Sequence, residues 1–415
     1  MRILWTLPYL PWPTTSGSKT RQFHLLRELA RHGHRITLLV QSKVPLSDLA
    51  RQALEPFLER LIVLPRRPVH SPLNLLASPI IDYPMRTIIN GLAPCLRHRF
   101  EQLLDEPWDV IQIEHSYAFQ PFEKALQARG LPYMLSEHTL ESVMGAACHD
   151  RLPLWLRPLN AFDRWRYRRW EQRVLRQPSE VVAVSAHDAE LISQISGRPV
   201  NVVVNGVDCD YYQEVRPALH SQRLLFVGNF EYGANLEAIE WALEEILPQV
   251  WLSNPAVRLA IAGHALPAHW KLHWNDPRIE WIGYRPDLRE LQRRSALFFA
   301  PLRHAGGSKV KILEAMAAGL PVVTTGKGVS GLAVNNGEHY LGSDDGDHLA
   351  LLLTQLLNQP WRMSQLGEAG RQLVRQHHDW SVAAQQLENV HMRLTQLAPA
   401  HPAPISAVLL GRSAK

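Results

Sequence analysis

Glycine, lysine and glutamate recur at short, regular intervals in one stretch of this chain, HAGGSKVKILEAMAAGLPVV, which begins at His304. Gly306 and Gly307 leave backbone N–H groups uncovered. Ser308 can cap a helix beginning there, and Lys309 and Lys311, on either side of Val310, place positive charge at the same terminus. This combination makes a cradle for a diphosphate. Glu314 follows one to two turns into the helix, where a carboxylate can accept two hydrogen bonds from a ribose diol, and Gly319 and Pro321 end the helix before VVTT. A capped helix with a solvated Lys–Glu face has the same spacing, so the motif is read together with its surroundings.

Two further places carry groups that could do chemistry. In the turn TTSGSKT after the first apolar run, Gly17 permits backbone conformations closed to other residues, and Ser18 to Thr20 lead into a helix N-terminus that attracts phosphate or a sugar hydroxyl. Many βα turns carry one glycine for steric reasons alone. His138 in SEHTLES and His115 in IEHS each follow a short apolar run. A lone histidine is more often structural than functional, so neither is assigned on type alone.

The elements that must position these groups can be read from periodicity. Arg2 to Leu7 reads as a strand and the stretch carrying Phe23, Leu26 and Leu29 as a helix; Gly33 and the run ITLLV complete a βαβ unit. LIVLP, DVIQI, YMLS and EVVAVS continue the series with helical or irregular segments between them, as parallel strands with crossovers require. After VNGVD and a polar hinge-like stretch, a second series begins at RLLFVGN and continues through VRLAIAG, IEWIG, LFFAP and PVVTT. The expectation is two doubly wound α/β domains, at 1–205 and 206–379. A helix over 380–397 is expected to pack back on the first, and a Pro- and Ala-containing tail over 398–415 to be disordered.

Composition narrows the class. A chain of 415 residues exceeds what one core usually supports, and 46% apolar with 20% charged residues is an ordinary globular mix. No segment approaches the roughly 18 uncharged apolar residues of a membrane span. The opening MRILWTLPYLPWP is broken by prolines and reads as a strand, not a leader. Cys95, Cys148 and Cys209 lie far apart without metal-ligand spacing, which suits a reducing cytoplasm. A net charge of +5 favours anionic partners, but no nucleic-acid recognition motif accompanies it.

The stretch WLRPLNAFDRWRYRRWEQRVLR sets arginines, from Arg164 to Arg173, among Trp165, Tyr167 and Trp170. Two readings stand: a helix lying on an anionic bilayer surface through Trp165–Arg173, or a surface helix whose tryptophans face the core while its arginines are solvated or paired with Asp163 and Glu171.

The motifs VNGVD, LLFVGNF, IAG, WIGYRPDL and PLRHAGGSKVKILEAMAAGLPVV occur in the order found in glycosyltransferase family 4, which the chain resembles over nearly its whole length. The resemblance implies a GT-B architecture, two Rossmann-like domains facing a cleft. It also implies a nucleoside diphosphate-sugar donor, no obligatory metal or other cofactor, and transfer that retains anomeric configuration. It makes Glu314 the ribose-binding carboxylate and brings the amides from Gly307 to Val310 to the diphosphate. Tyr284 and Arg285 then lie near the base, and Gly228 lets a strand end approach the phosphates. His138 takes the position of the family's active-site histidine, with His115 as the alternative.

Two departures stand out. Gly306 occupies the place of a first carboxylate, and Asn229 that of an arginine, leaving Lys309 and Lys311 to supply positive charge. The implied work is cell-surface or exported polysaccharide synthesis with a glycan or lipid-linked acceptor. The implied place is the cytoplasm or the inner face of the cell membrane. The alternatives are a GT-B protein that binds a sugar nucleotide or partner without transfer, and a nucleotide-sugar epimerase, whose acid/base cluster is not evident in the sequence.

Overall fold

The computed structural model describes residues 1–66, 84, 93–140, 142, 157–304 and 309–397. The expected tail over 398–415 lies outside them, as do Gly306, Gly307 and Ser308.

Seven strands form the first sheet: β1 (Arg2–Leu7), β2 (Arg35–Ser42), β3 (Arg60–Pro65), β4 (Val110–Glu114), β5 (Met134–Glu137), β6 (Glu180–Ala183) and β7 (Asn201–Val202). Their spatial order is β3-β2-β1-β4-β5-β6-β7, and every pairing is parallel. The second sheet has β8 (Arg223–Asn229), β9 (Arg258–His264), β10 (Ile279–Gly283), β11 (Leu297–Ala300), β12 (Val322–Thr324) and β13 (Leu341–Gly342), in the parallel order β10-β9-β8-β11-β12-β13. These are two Rossmann-like units. Helices bury both faces of each sheet, so the strands are continuous apolar runs and do not alternate: Ile3, Leu4 and Trp5 are all wholly buried.

Strand order reverses once in each sheet, between β1 and β4 and between β8 and β11. At such a switch point two neighbouring crossovers leave in opposite directions and open a crevice beyond the strands' carboxyl ends. The histidine segment follows β4, the glycine turn follows β1, and the lysine–glutamate helix follows β11.

The chain passes between the sheets at 203–208 and again at 378–380. The two crossings lie side by side: the Val207 N–H donates to the His378 carbonyl at 2.7 Å, and a bridge pairs Val207 with Asp379. Gly206 is required there, because a Cβ at that position would lie 2.7 Å from the Trp380 ring. The last helix, Trp380–Leu397, then joins the first unit's core, where Trp380 stacks on His24 with ring centroids 5.2 Å apart.

Candidate functional site

The first crevice holds a hydrogen-bonded chain of side chains built from three strand ends. β4 ends in Gln112, Glu114 and His115, β5 in Glu137 and His138, and the segment after β1 supplies Tyr9 and Ser18. The His138 Nε2 lies 3.2 Å from the Glu114 carboxylate, and its Nδ1 lies 3.4 Å from the Ser18 hydroxyl. Ser18 also hydrogen-bonds the Tyr9 hydroxyl, which is 3.0 Å from the His115 Nε2; the His115 Nδ1 stands 3.6 Å from Glu137. The two imidazoles are therefore neighbours, with ring centroids 4.4 Å apart. They are parts of one network and not alternatives.

Burial sets the charge states in this network. Burial, with the His115 charge adding to it, pushes the His138 imidazole down to about 4, so it is neutral at pH 7. Burial alone would raise the Glu114 carboxyl, but the His138 hydrogen bond, the two imidazoles and the Gln112 amide outweigh it and hold the group at about 2. Gln112 and Gln22 donate to this carboxylate at 2.6 and 2.8 Å. An ionised Glu114 favours the tautomer with the proton on Nε2, which leaves Nδ1 to accept from Ser18. Both histidines are nearly covered, at 5% and 6% exposure, and the half-buried members at the mouth are Tyr9 and Ser18. The sequence placed His138 at the sugar; here it reaches the crevice through Ser18.

Gly17 opens the first helix, and it is not among the residues with positive φ, so the conformational freedom expected there is not used. The position instead begins a helix whose next residue, Ser18, carries the polar function.

In the second crevice the helix spans Val310–Ala317, with Lys309 as its N-cap residue. The capping position expected for Ser308 therefore belongs to Lys309, one residue later. Lys311 donates to Asn235 and lies 4.7 Å from the Phe226 ring centroid. Burial, together with the Lys309 charge, pushes the Lys311 amine down to about 7, and burial brings Lys309 to about 8. Burial pushes the Glu314 carboxyl up to about 7 against the Tyr212 hydroxyl, which donates to it, and the Lys311 charge. Lys327 adds a third cation close enough to lower Lys309.

Gly228 lies at the end of β8, where a Cβ would come within 2.9 Å of the Phe226 ring and 3.1 Å of Asn235. Asn229 bonds back to Glu231 through both side-chain atoms, at 3.2 and 3.0 Å, so it does not stand in for a cleft-facing cation. Tyr284 and Arg285 are exposed beyond β10, with the Tyr284 ring edge-on to His264. Asp287 of the same loop hydrogen-bonds Tyr211, whose neighbour Tyr212 holds Glu314.

The two crevices face each other. Lys19 of the first helix feels Glu231 of the β8 loop, Lys309 feels Asp188 of the first unit, and Gly331 approaches Ser185 so closely that a Cβ would lie 3.0 Å from it.

Residues 16–208 match the model of the glycosyl transferase 4-like domain and residues 221–359 that of the glycosyl transferases group 1, together most of the chain. The chain belongs to the family 4-like glycosyltransferases. This glycosyltransferase is 23% identical over 347 residues to an uncharacterized 44.6 kDa protein in the cps region of Klebsiella pneumoniae, covering 81% of this chain and 85% of that one. It is 26% identical over 236 residues to the glycogen synthase of Mycobacterium tuberculosis, covering 54% of this chain and 56% of that one. Its fold matches Anabaena HepE solved with UDP and glucose at TM-score 0.69 and 16% identity, over 95% of this chain and all of that one. Sucrose-phosphate synthase from Thermosynechococcus elongatus matches at TM-score 0.73 and 16% identity, over 96% and 100%.

Sequence reasoning missed Glu114, Tyr9, Tyr212 and Lys327. Glu114 did have a signal. Gln112 and Glu114 interrupt an otherwise apolar central strand, where a polar side chain must find a partner. Tyr212 had none, because its contact with Glu314 spans about a hundred residues of chain.

Proposed function

We propose that the enzyme takes a sugar from a nucleoside diphosphate-sugar and transfers it, with retained anomeric configuration, to a hydroxyl of a glycan or lipid-linked acceptor during cell-surface or exported polysaccharide synthesis. The observation that carries this reading is the half-buried Glu314, hydrogen-bonded by Tyr212 beside Lys309 and Lys311 at the switch point of the second sheet. A carboxylate there suits a ribose diol, and the lysines suit a diphosphate. The Klebsiella relative's cps region supports the polysaccharide role, and HepE's complex with UDP and glucose supports a nucleotide-sugar donor.

The chemistry then follows from charge. As the bond from sugar to diphosphate loosens, negative charge builds on the leaving group, and Lys309, Lys311 and Lys327 stabilise it; this reading needs no metal. The acceptor hydroxyl attacks from the face the phosphate leaves, and its proton passes to a phosphate oxygen. Ser18, held by the neutral His138, and Tyr9, held by the His115 ring, orient sugar hydroxyls from the opposite wall.

The test is thermal stabilisation by a panel of nucleoside diphosphates and their sugars, without added metal, for the wild type and Glu314→Ala, since a ligand that binds only the folded state raises its stability. A shift with one nucleotide that is lost in the variant supports the site. No shift with any nucleotide would sink the reading.

A further inference from the structure

The helix Arg157–Val174 divides its aromatic residues between two faces. Tyr167, Trp170 and Val174 are buried in the first unit, and the Trp170 indole N–H donates to the Ser116 carbonyl at 2.9 Å. Phe162 and Trp165 point outward, each 51% exposed, with ring centroids 5.8 Å apart. Neither of the two arrangements expected from the sequence is complete: one tryptophan faces the core and the other faces solvent.

The outward residues follow helical spacing. Arg168 follows Arg164 by four positions, Arg168 and Arg169 follow Trp165 by three and four, and all four residues are exposed. Such intervals line one side of a helix. Arg173 extends the same stripe while reaching to Glu123 at 3.1 Å. The helix's two acids are turned away from it: Asp163 pairs with Arg166 at 2.6 Å, and Glu171 is wholly buried, accepting the Ser142 N–H. Arginine guanidinium groups also lie against the outward rings, with Arg169 4.9 Å from the Trp165 ring centroid and Arg166 5.1 Å from that of Phe162.

We infer that this face seats the enzyme on an anionic lipid bilayer, with Phe162 and Trp165 entering the headgroup–acyl boundary and the arginine stripe meeting lipid phosphates. The charge pattern selects this occupant. A stripe of one sign around two adjacent exposed rings matches a surface that is negative above and apolar just beneath. No helix of the described residues is long and apolar enough to cross a membrane, so this contact lies in the plane of the surface. The inward face carries the functional link. Trp170 is tied to Ser116, the residue after His115, so only the thickness of one helix, about 10 Å, separates the lipid-facing stripe from the acceptor-side network. This deepens the proposed function, on which the choice of a membrane-held acceptor rests.

The test is co-sedimentation of the full chain with vesicles of phosphatidylcholine alone and of phosphatidylcholine with 30% phosphatidylglycerol. Partitioning should rise at least tenfold with the anionic lipid and fall again in 0.5 M salt. The variant Arg164→Glu/Arg168→Glu/Arg169→Glu should lose about a hundredfold or more, since each cation near such a surface contributes about fivefold. Phe162→Ser/Trp165→Ser should bind more weakly while keeping the salt dependence. Glu314→Ala should bind vesicles as the wild type does, which separates this inference from the donor-site reading. Unchanged thermal midpoints in the surface variants confirm that they fold. Equal partitioning to both vesicle types, binding indifferent to both surface variants, or binding to polyuridylate without binding to vesicles would each overturn the inference.

Discussion

His391 offers a measurable link between burial and pH. It is wholly buried on the last helix with its Nε2 2.8 Å from the Gln112 side-chain oxygen, and burial pushes its imidazole down to about 3. The unfolded chain takes up the same proton near pH 6.5. Between these values the unfolded state binds more protons, so the neutral, folded form gives stability that is present above pH 6.5 and is lost as pH falls toward 3. At pH 5 the unfolded imidazole is almost fully protonated, which favours unfolding by about 2 kcal/mol relative to pH 8. That is a large share of the roughly 5–15 kcal/mol typical of a domain. His391→Gln removes the titration while leaving an amide N–H for Gln112. Urea unfolding of both proteins, followed by tryptophan fluorescence at pH 8, 7, 6 and 5, should show the free-energy difference moving about 2 kcal/mol in the variant's favour between pH 8 and 5. Most of that change should fall below pH 6.5. Parallel pH curves would refute the reasoning. Both proteins should remain acid-sensitive, because His138 is held down to about 4 by the same cause.

Other expectations concern the two crevices. Glu314→Gln should weaken binding of the nucleoside diphosphate that stabilises the wild type at least tenfold by calorimetry, and Tyr212→Phe by less; equal affinities in all three proteins would remove Glu314 from the site. Affinity for that nucleotide should peak near pH 7, because the raised Glu314 loses its ionised form below about 7 and the lowered Lys311 loses its charge above about 7. Lys311→Met should flatten the alkaline limb alone. Glu114→Gln should lower turnover with unchanged nucleotide affinity and shift the His138 proton off Nε2, visible in imidazole nitrogen NMR; an unchanged tautomer would count against the carboxylate's positioning role. Gly263→Ala places a Cβ 1.7 Å from the Gly228 carbonyl oxygen at φ +150°, so a loss of about 3 kcal/mol or more is expected in thermal or urea unfolding.

The sequence carried the architecture better than the contacts. RILWTL, DVIQI, RLLFVGN and LFFAP are apolar runs bounded by polar turns, and each became a buried strand because both sheet faces are covered. The two-residue strands β7 and β13 escaped notice, being too short to show a period. Glu314 and the lysines were legible because they share one helix, where spacing in sequence is spacing in space. The proximity of His115 to His138 was not, because adjacency of β4 and β5 brings together residues 23 positions apart, and nothing local records that register. The helix start at Val310 and the idle backbone freedom of Gly17 show the usual limit of local reading at element ends.

The return of the last helix to the first sheet orders events during synthesis. Trp380, Leu387, Val390 and Leu394 belong to the same core as Ile3, Trp5 and Leu26. A ribosome that has made the first two hundred residues has therefore released a unit with one face still bare, and must add nearly as many again before the cover arrives. Meanwhile the second unit, whose core draws only on later residues, can close by itself. The half translated first is thus the half completed last, and the nascent chain passes through a stage in which a chaperone would find its apolar surface on the N-terminal side.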